Sequence, residues 1–128
     1  MDNTMDRAIK GLSTFKDRLS YYFDNAHPSG NPNIYLKLIQ EEYDEFLYEE
    51  PNTADEFKEL CDLIWVSIMY AIERGYPLEE GMAELMKEFE SKLYDDDGNF
   101  CPTYREDGKL KKGKYFKKAN FDKLFRKK

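Results

Sequence analysis

The stretch from Leu60 to Ile72, LCDLIWVSIMYAI, constrains this chain more than any other, because it is apolar on every helical face and carries a single charge, Asp62. It is too long for an ordinary buried strand and falls short of the roughly 18 apolar residues that a membrane-spanning helix needs. It therefore reads as the body of a helix with neighbours on several sides. Thr53, followed three residues later by Glu56, supplies a capping box at its start, and Gly75 is suited to close it. Helical spacing of Ile9, Leu12, Phe15, Leu19, Tyr22 and Phe23 predicts a first helix over about 4–24, and a second runs over about 34–49 until Pro51 stops it. Pro77 opens a fourth, over about 77–93. The breaker-rich stretch 25–33 joins the first two as a loop.

The expected fold is thus all-α: a four-helix bundle with an acidic cleft, its helical core over about 4–93, followed by a basic extension over about 94–128. No internal repeat or linker interrupts it, so 1–128 reads as a single domain. In the extension, Asp97-Gly98 and Asp107-Gly108 mark turns, and the second can close a small hairpin between 100–105 and 109–116. A last short helix is expected near 120–126.

Charge divides the same way. Residues 104–128 hold eleven Lys or Arg against three Asp or Glu, a net of +8, whereas 1–103 hold nine against 23, a net of −14. An acidic body repels nucleic acid and a basic tail attracts phosphates. The expected partner is a small phosphate compound, with neither nucleic acid nor a membrane. One histidine and two cysteines leave little for zinc sites or Ser-His-Asp machinery. His27 falls in the loop, and Cys61 is expected as a small core residue. The opening residues are too charged for a secretory leader, so the expected location is cytoplasmic.

The chemistry sits on the second and third helices. At roughly 100° per residue, Glu45 and Glu42 fall about 40° and 100° from Glu41, on the stripe that Ile34 and Leu38 carry to the core. A solvated acidic face would oppose that stripe. On the third helix, Glu59, Asp62 and Asp55 share an arc with Val66 and Met69. An ionised carboxylate there needs a partner or a metal, and among Lys37, Lys58 and Arg74 none is clearly in phase. Carboxylates converging from two helices suit a hard divalent cation, Mg²⁺ or Mn²⁺, bound through oxygen alone. A di-iron bundle would want ExxH pairs, which a single loop histidine cannot provide. Asp95-Asp96-Asp97-Gly98 fails as a calcium loop, since its register would put Leu93 first and Tyr104 twelfth.

These residues also resemble a family. Glu41-Glu42-x-x-Glu45, thirteen residues, then Glu59-x-x-Asp62 is similar to the EExxE…ExxD signature of the all-α NTP pyrophosphohydrolases, which include MazG-like proteins, dimeric dUTPases and phosphoribosyl-ATP pyrophosphohydrolase. Leu38-Ile39-Gln40 before it and Leu63-Ile64-Trp65-Val66 after it agree, and Glu90-Ser91-Lys92, Asp107-Gly108-Lys109 and Lys112-Gly113-x-Tyr115 resemble the NSK and DGKxxKGxxY elements of short, some phage-encoded, MazG-like proteins. Glu90 stands where many members have Asn, and Ala119-Asn120-Phe121 replaces the usual proline-rich end. The resemblance implies Mg²⁺-dependent hydrolysis of a nucleoside triphosphate between the α- and β-phosphates. It implies Glu42, Glu45, Glu59 and Asp62 as metal ligands, and Glu41 as a further ligand or the base that orients water. Lys92, Lys109 and Lys112 would then contact the outer phosphates. It also implies a homodimer or dimer of dimers, which the all-round apolar third helix favours independently. Two rival readings are a catalytically idle helical partner protein and a nucleic-acid module built on the tail.

Overall fold

The computed structural model describes residues 14–25 and 29–125. Four α-helices account for its regular structure: α1 (Phe15–Asn25), α2 (Pro32–Tyr48), α3 (Ala54–Arg74) and α4 (Leu78–Ser91), with a 3₁₀ turn at Asp122–Leu124. The all-α expectation holds, and among the described residues there is no strand. The expected start of the first helix, His27 and Arg126 lie outside the described residues. No helix described is long and apolar enough to cross a membrane.

The chain forms two compact units that divide between Tyr76 and Pro77. In the first, α2 and α3 pack as a helical hairpin across the short connection 49–53. Pro32 in the first turn of α2 loses no hydrogen bond there. The Thr53 hydroxyl accepts the Glu56 N–H at 3.1 Å, and the Glu56 carboxylate reaches back to the Asn52 N–H at 3.1 Å, a capping box displaced by one residue at its return bond. Gly75 ends α3 in the left-handed conformation at φ 69°, where it needs no Cβ. Buried apolar residues gather in the last turns of α3, at Ile68, Ala71 and Ile72. α1 meets α3 through an edge-to-face pair of Tyr22 and Trp65, centroids 5.8 Å apart. Ser29 gives its N–H and hydroxyl to the Glu73 carboxylate, which tethers the loop before α2 to the end of α3. Cys61, expected in the core, is exposed among the described residues.

In the second unit, one face of α4 holds the C-terminal segment through side-chain acceptors spaced four and three residues apart. The Ser91 hydroxyl accepts the Lys117 N–H at 2.9 Å, Glu88 the Ala119 N–H at 2.9 Å and Glu84 the Asn120 N–H at 3.1 Å. Gly81 lets the Phe121 ring close on the helix, since a Cβ there would sit 3.3 Å from the ring.

Between α4 and this segment lie two turns of one design, which corrects the expectation of no internal repeat. Tyr94-x-x-Asp97-Gly98-x-Phe100 and Tyr104-x-x-Asp107-Gly108-x-Leu110 are ten residues apart. Each carries an isolated antiparallel bridge, Tyr94 with Phe100 and Tyr104 with Leu110. Gly98 N–H bonds Asp95 C=O and Gly108 N–H bonds Arg105 C=O, while Cys101 returns to Leu93 and Lys111 to Thr103. Both glycines have positive φ, 84° and 87°, as a three-residue hairpin loop requires at its last position. The expected hairpin is therefore present but short, closing over 103–111 without becoming a strand pair.

Candidate metal centre

α2 places Glu42 and Glu45 one turn apart on the side that packs against α3, and Glu59 arrives from the first turns of α3. One carboxylate oxygen from each lies within 4.8 Å of the other two. The 49–53 connection is short, so the hairpin brings together groups only 14–17 positions apart in sequence. Beside the cluster a cavity of about 310 Å³ is lined by Asp44, Glu45, Tyr48, Glu49 and Glu59. Of these, Asp44, Tyr48 and Glu49 had no signal in the sequence beyond their helical neighbourhood.

The cluster crowds like charges and is short of hydrogen-bond donors. Glu42 Oε2 and Glu59 Oε2 are buried and accept no hydrogen bond among the described residues, a costly state for a carboxylate oxygen. Burial, followed by the charges of Asp62 and Glu59, holds the Glu42 carboxyl above its ordinary range. Glu45 is also raised, first by a hydrogen bond to Glu59 that requires a shared proton and then by the Glu42 charge. Oxygen donors at this spacing, with two buried oxygens unpartnered, fit a hard divalent ion and fit neither zinc nor a soft metal.

Of the four ligands that the sequence suggests, the structure gathers three. Asp62 instead accepts the Lys58 ammonium at 2.5 Å, and Lys58 also lies 3.6 Å from Glu59. Lys58 was not clearly in phase from the sequence. Its four-residue spacing from Asp62 is the ordinary helical ion-pair spacing, and that was the available signal. The Asp62 pairing, in turn, holds the Lys58 ammonium above its ordinary range. Glu41 is exposed beside the cluster and adds its charge to the field at Glu42. Lys92, Lys109 and Lys112 belong to the second unit. The Lys92 and Lys112 ammonium groups stand 5.9 Å and 4.9 Å from the Phe116 ring centroid, and the Lys109 N–H bonds Asp107 at 3.1 Å.

Comparison with protein-family models, with curated proteins and with solved structures gives no match for this chain.

Proposed function

We propose that this protein is a Mg²⁺-dependent nucleoside triphosphate pyrophosphohydrolase of the MazG-like kind, releasing pyrophosphate and the nucleoside monophosphate. The observation that carries the reading is the trio Glu42, Glu45 and Glu59, whose carboxylate oxygens converge within 4.8 Å with two of them buried and unpartnered. A divalent cation there supplies neutralisation of phosphate charge and a water acidic enough to attack without a histidine base. Glu42 and Glu59 would hold it from two helices with Glu45 completing the set, and Asp62, here paired with Lys58, would be the fourth ligand. Glu41, exposed beside the cluster, would orient water. The spacing of Glu41-Glu42-x-x-Glu45 and Glu59-x-x-Asp62 supports the same assignment.

The protein works as a homodimer or dimer of dimers. Supporting this, Phe57, Ile64 and Trp65 on α3 and Met82, Met86 and Phe89 on α4 are large apolar side chains left exposed, the kind of surface that a second chain covers.

A panel of nucleoside triphosphates with Mg²⁺, scored for pyrophosphate against orthophosphate, tests the reading. Pyrophosphate with at least one substrate, abolished by EDTA, is expected. Orthophosphate as first product, or full activity in EDTA, overturns it. A second reading, an idle helical partner protein, draws support from the Lys58–Asp62 pair, which already neutralises one motif carboxylate. Absence of turnover across the whole panel would favour it.

A further inference from the structure

We propose that the twin-turn segment of the second unit binds single-stranded nucleic acid, with aromatic rings for the bases and lysines for the phosphates. Residues 100–118 carry seven Lys or Arg against two Asp or Glu. The summed charge of the chain, which argues against nucleic acid, conceals how differently the two signs are used here. Three of the acidic groups around the turns, Asp95, Asp96 and Asp107, are consumed internally. Asp107 takes the Arg105 guanidinium at 2.9 Å and the Lys109 N–H at 3.1 Å. Asp95 accepts the N–H groups of Asp97 and Asn99, both at 3.0 Å, and Asp96 accepts that of Lys114 at 2.8 Å. The lysines are not consumed. Among the described residues, Lys111, Lys112 and Lys114 have no carboxylate within ion-pair distance, and the last two rest beside aromatic rings, Lys112 at 4.9 Å from Phe116 and Lys114 at 5.8 Å from Tyr115.

Rings and cations therefore share one short segment, and three of its rings are exposed while Phe116 is half-buried. Phe100 is 68% exposed, Tyr104 59% and Tyr115 47%. An exposed ring beside an unpaired ammonium group, as Tyr115 stands beside Lys114, matches the base and the phosphate of an unstacked nucleotide, and Phe100 and Tyr104 add exposed rings nearby in sequence. Duplex is the poorer fit, because the segment offers turns and isolated bridges in place of the helix or two-stranded ribbon that a major groove admits. This site uses no residue of the first unit and does not depend on the pyrophosphohydrolase reading.

Fluorescence anisotropy of the full chain with a labelled oligothymidylate of about 12 nucleotides, in EDTA and over a salt series, tests the proposal. Binding should weaken with salt at a slope of about −0.7 for each phosphate neutralised. Replacing Lys111 and Lys114 together with Gln should make that slope shallower by about 1.4. Tyr104→Ala should weaken binding by at least about fivefold and leave the slope unchanged, and Phe100→Ala should do the same. Circular dichroism of each variant verifies the helices. The proposal is overturned by no anisotropy change at low salt, by duplex binding as tightly as single strand, or by inorganic polyphosphate competing equally while Tyr104→Ala and Phe100→Ala bind as wild type. That last outcome would mean polyanion attraction alone.

Discussion

Two groups of glutamates in this chain meet opposite fates. In the first unit, Glu42 and Glu59 each keep a buried oxygen with no donor, and Glu42 and Glu45 hold their protons more tightly than ordinary carboxyls. In the second, Glu84 is more deeply buried, at 8% exposure, yet its carboxyl is pulled down to about 2 by Lys123, by the Asn120 N–H and by Lys87. Burial therefore does not by itself separate the two groups. The difference is whether donors arrive. Glu84 and Glu88 receive backbone N–H groups of a segment that has no strand partner, and they become clamps. The α2–α3 carboxylates receive one lysine among four groups, and one buried oxygen each of Glu42 and Glu59 has no donor among the described residues.

The sharpest break in this contrast is expected from Glu59→Gln. It removes one charge from the repelling trio and one ligand from the proposed ion, so Mg²⁺-dependent turnover should fall by more than about a hundredfold. Helical circular dichroism should stay intact and apo melting should be no lower than wild type. Turnover within a few fold of wild type would place the chemistry elsewhere. Glu84→Ala should do the reverse. It strands the Asn120 N–H and the Lys123 ammonium, held at 3.1 Å and 2.8 Å, so melting should drop by several degrees while the added stability from Mg²⁺ stays as in wild type. A loss of metal response in that variant would erase the distinction between the two groups.

The smallest effect is the pH dependence of apo melting, where the two groups carry opposite signs. Glu42 and Glu45 bind protons more tightly folded than unfolded, so their ionisation opposes folding at neutral pH, and that penalty is relieved as pH falls through their raised values toward 4.5. Glu84, lowered from 4.5 to about 2, adds stability that is complete above 4.5 and is lost only as pH falls below that toward 2. Melting should therefore rise slightly on mild acidification in EDTA and collapse only in stronger acid. Saturating Mg²⁺ should remove the rise. A monotonic loss of stability from neutral pH downward without metal would contradict the raised values at the cluster.

What could be read from the sequence was whatever helical geometry determines locally. The phase of Glu42, Glu45 and Glu59, the cap at Thr53 and the stop at Gly75 follow from residue spacing and backbone preference. Asp62 looked like a fourth inward carboxylate because periodicity gives a direction and not a partner. Lys58, one turn earlier, takes it while keeping its stem in solvent. The clamp on α4 left no trace in sequence, since Glu84 and Asn120 lie 36 positions apart and the bond is made to a backbone N–H that any residue but proline could offer. The twin turns are faint in the sequence because only Tyr, Asp-Gly and one apolar position recur in each ten-residue unit.

Those twin turns are alike in bonding yet unequally secured. The first is bolted to later chain: Asp96 accepts the Lys114 N–H, Gly98 sits against the Tyr115 hydroxyl, and Gly113 presses on Asp96 so closely that a Cβ would lie 3.3 Å from its carboxylate. At the equivalent place in the second, a Cβ on Gly108 would meet nothing within 4 Å. Sub-global opening follows the weakest attachment, so two loops with matching hydrogen bonds should exchange their amide protons at different rates. Gly108 should lose its label well before Gly98. Duplicated geometry, in this chain, does not mean duplicated lifetime.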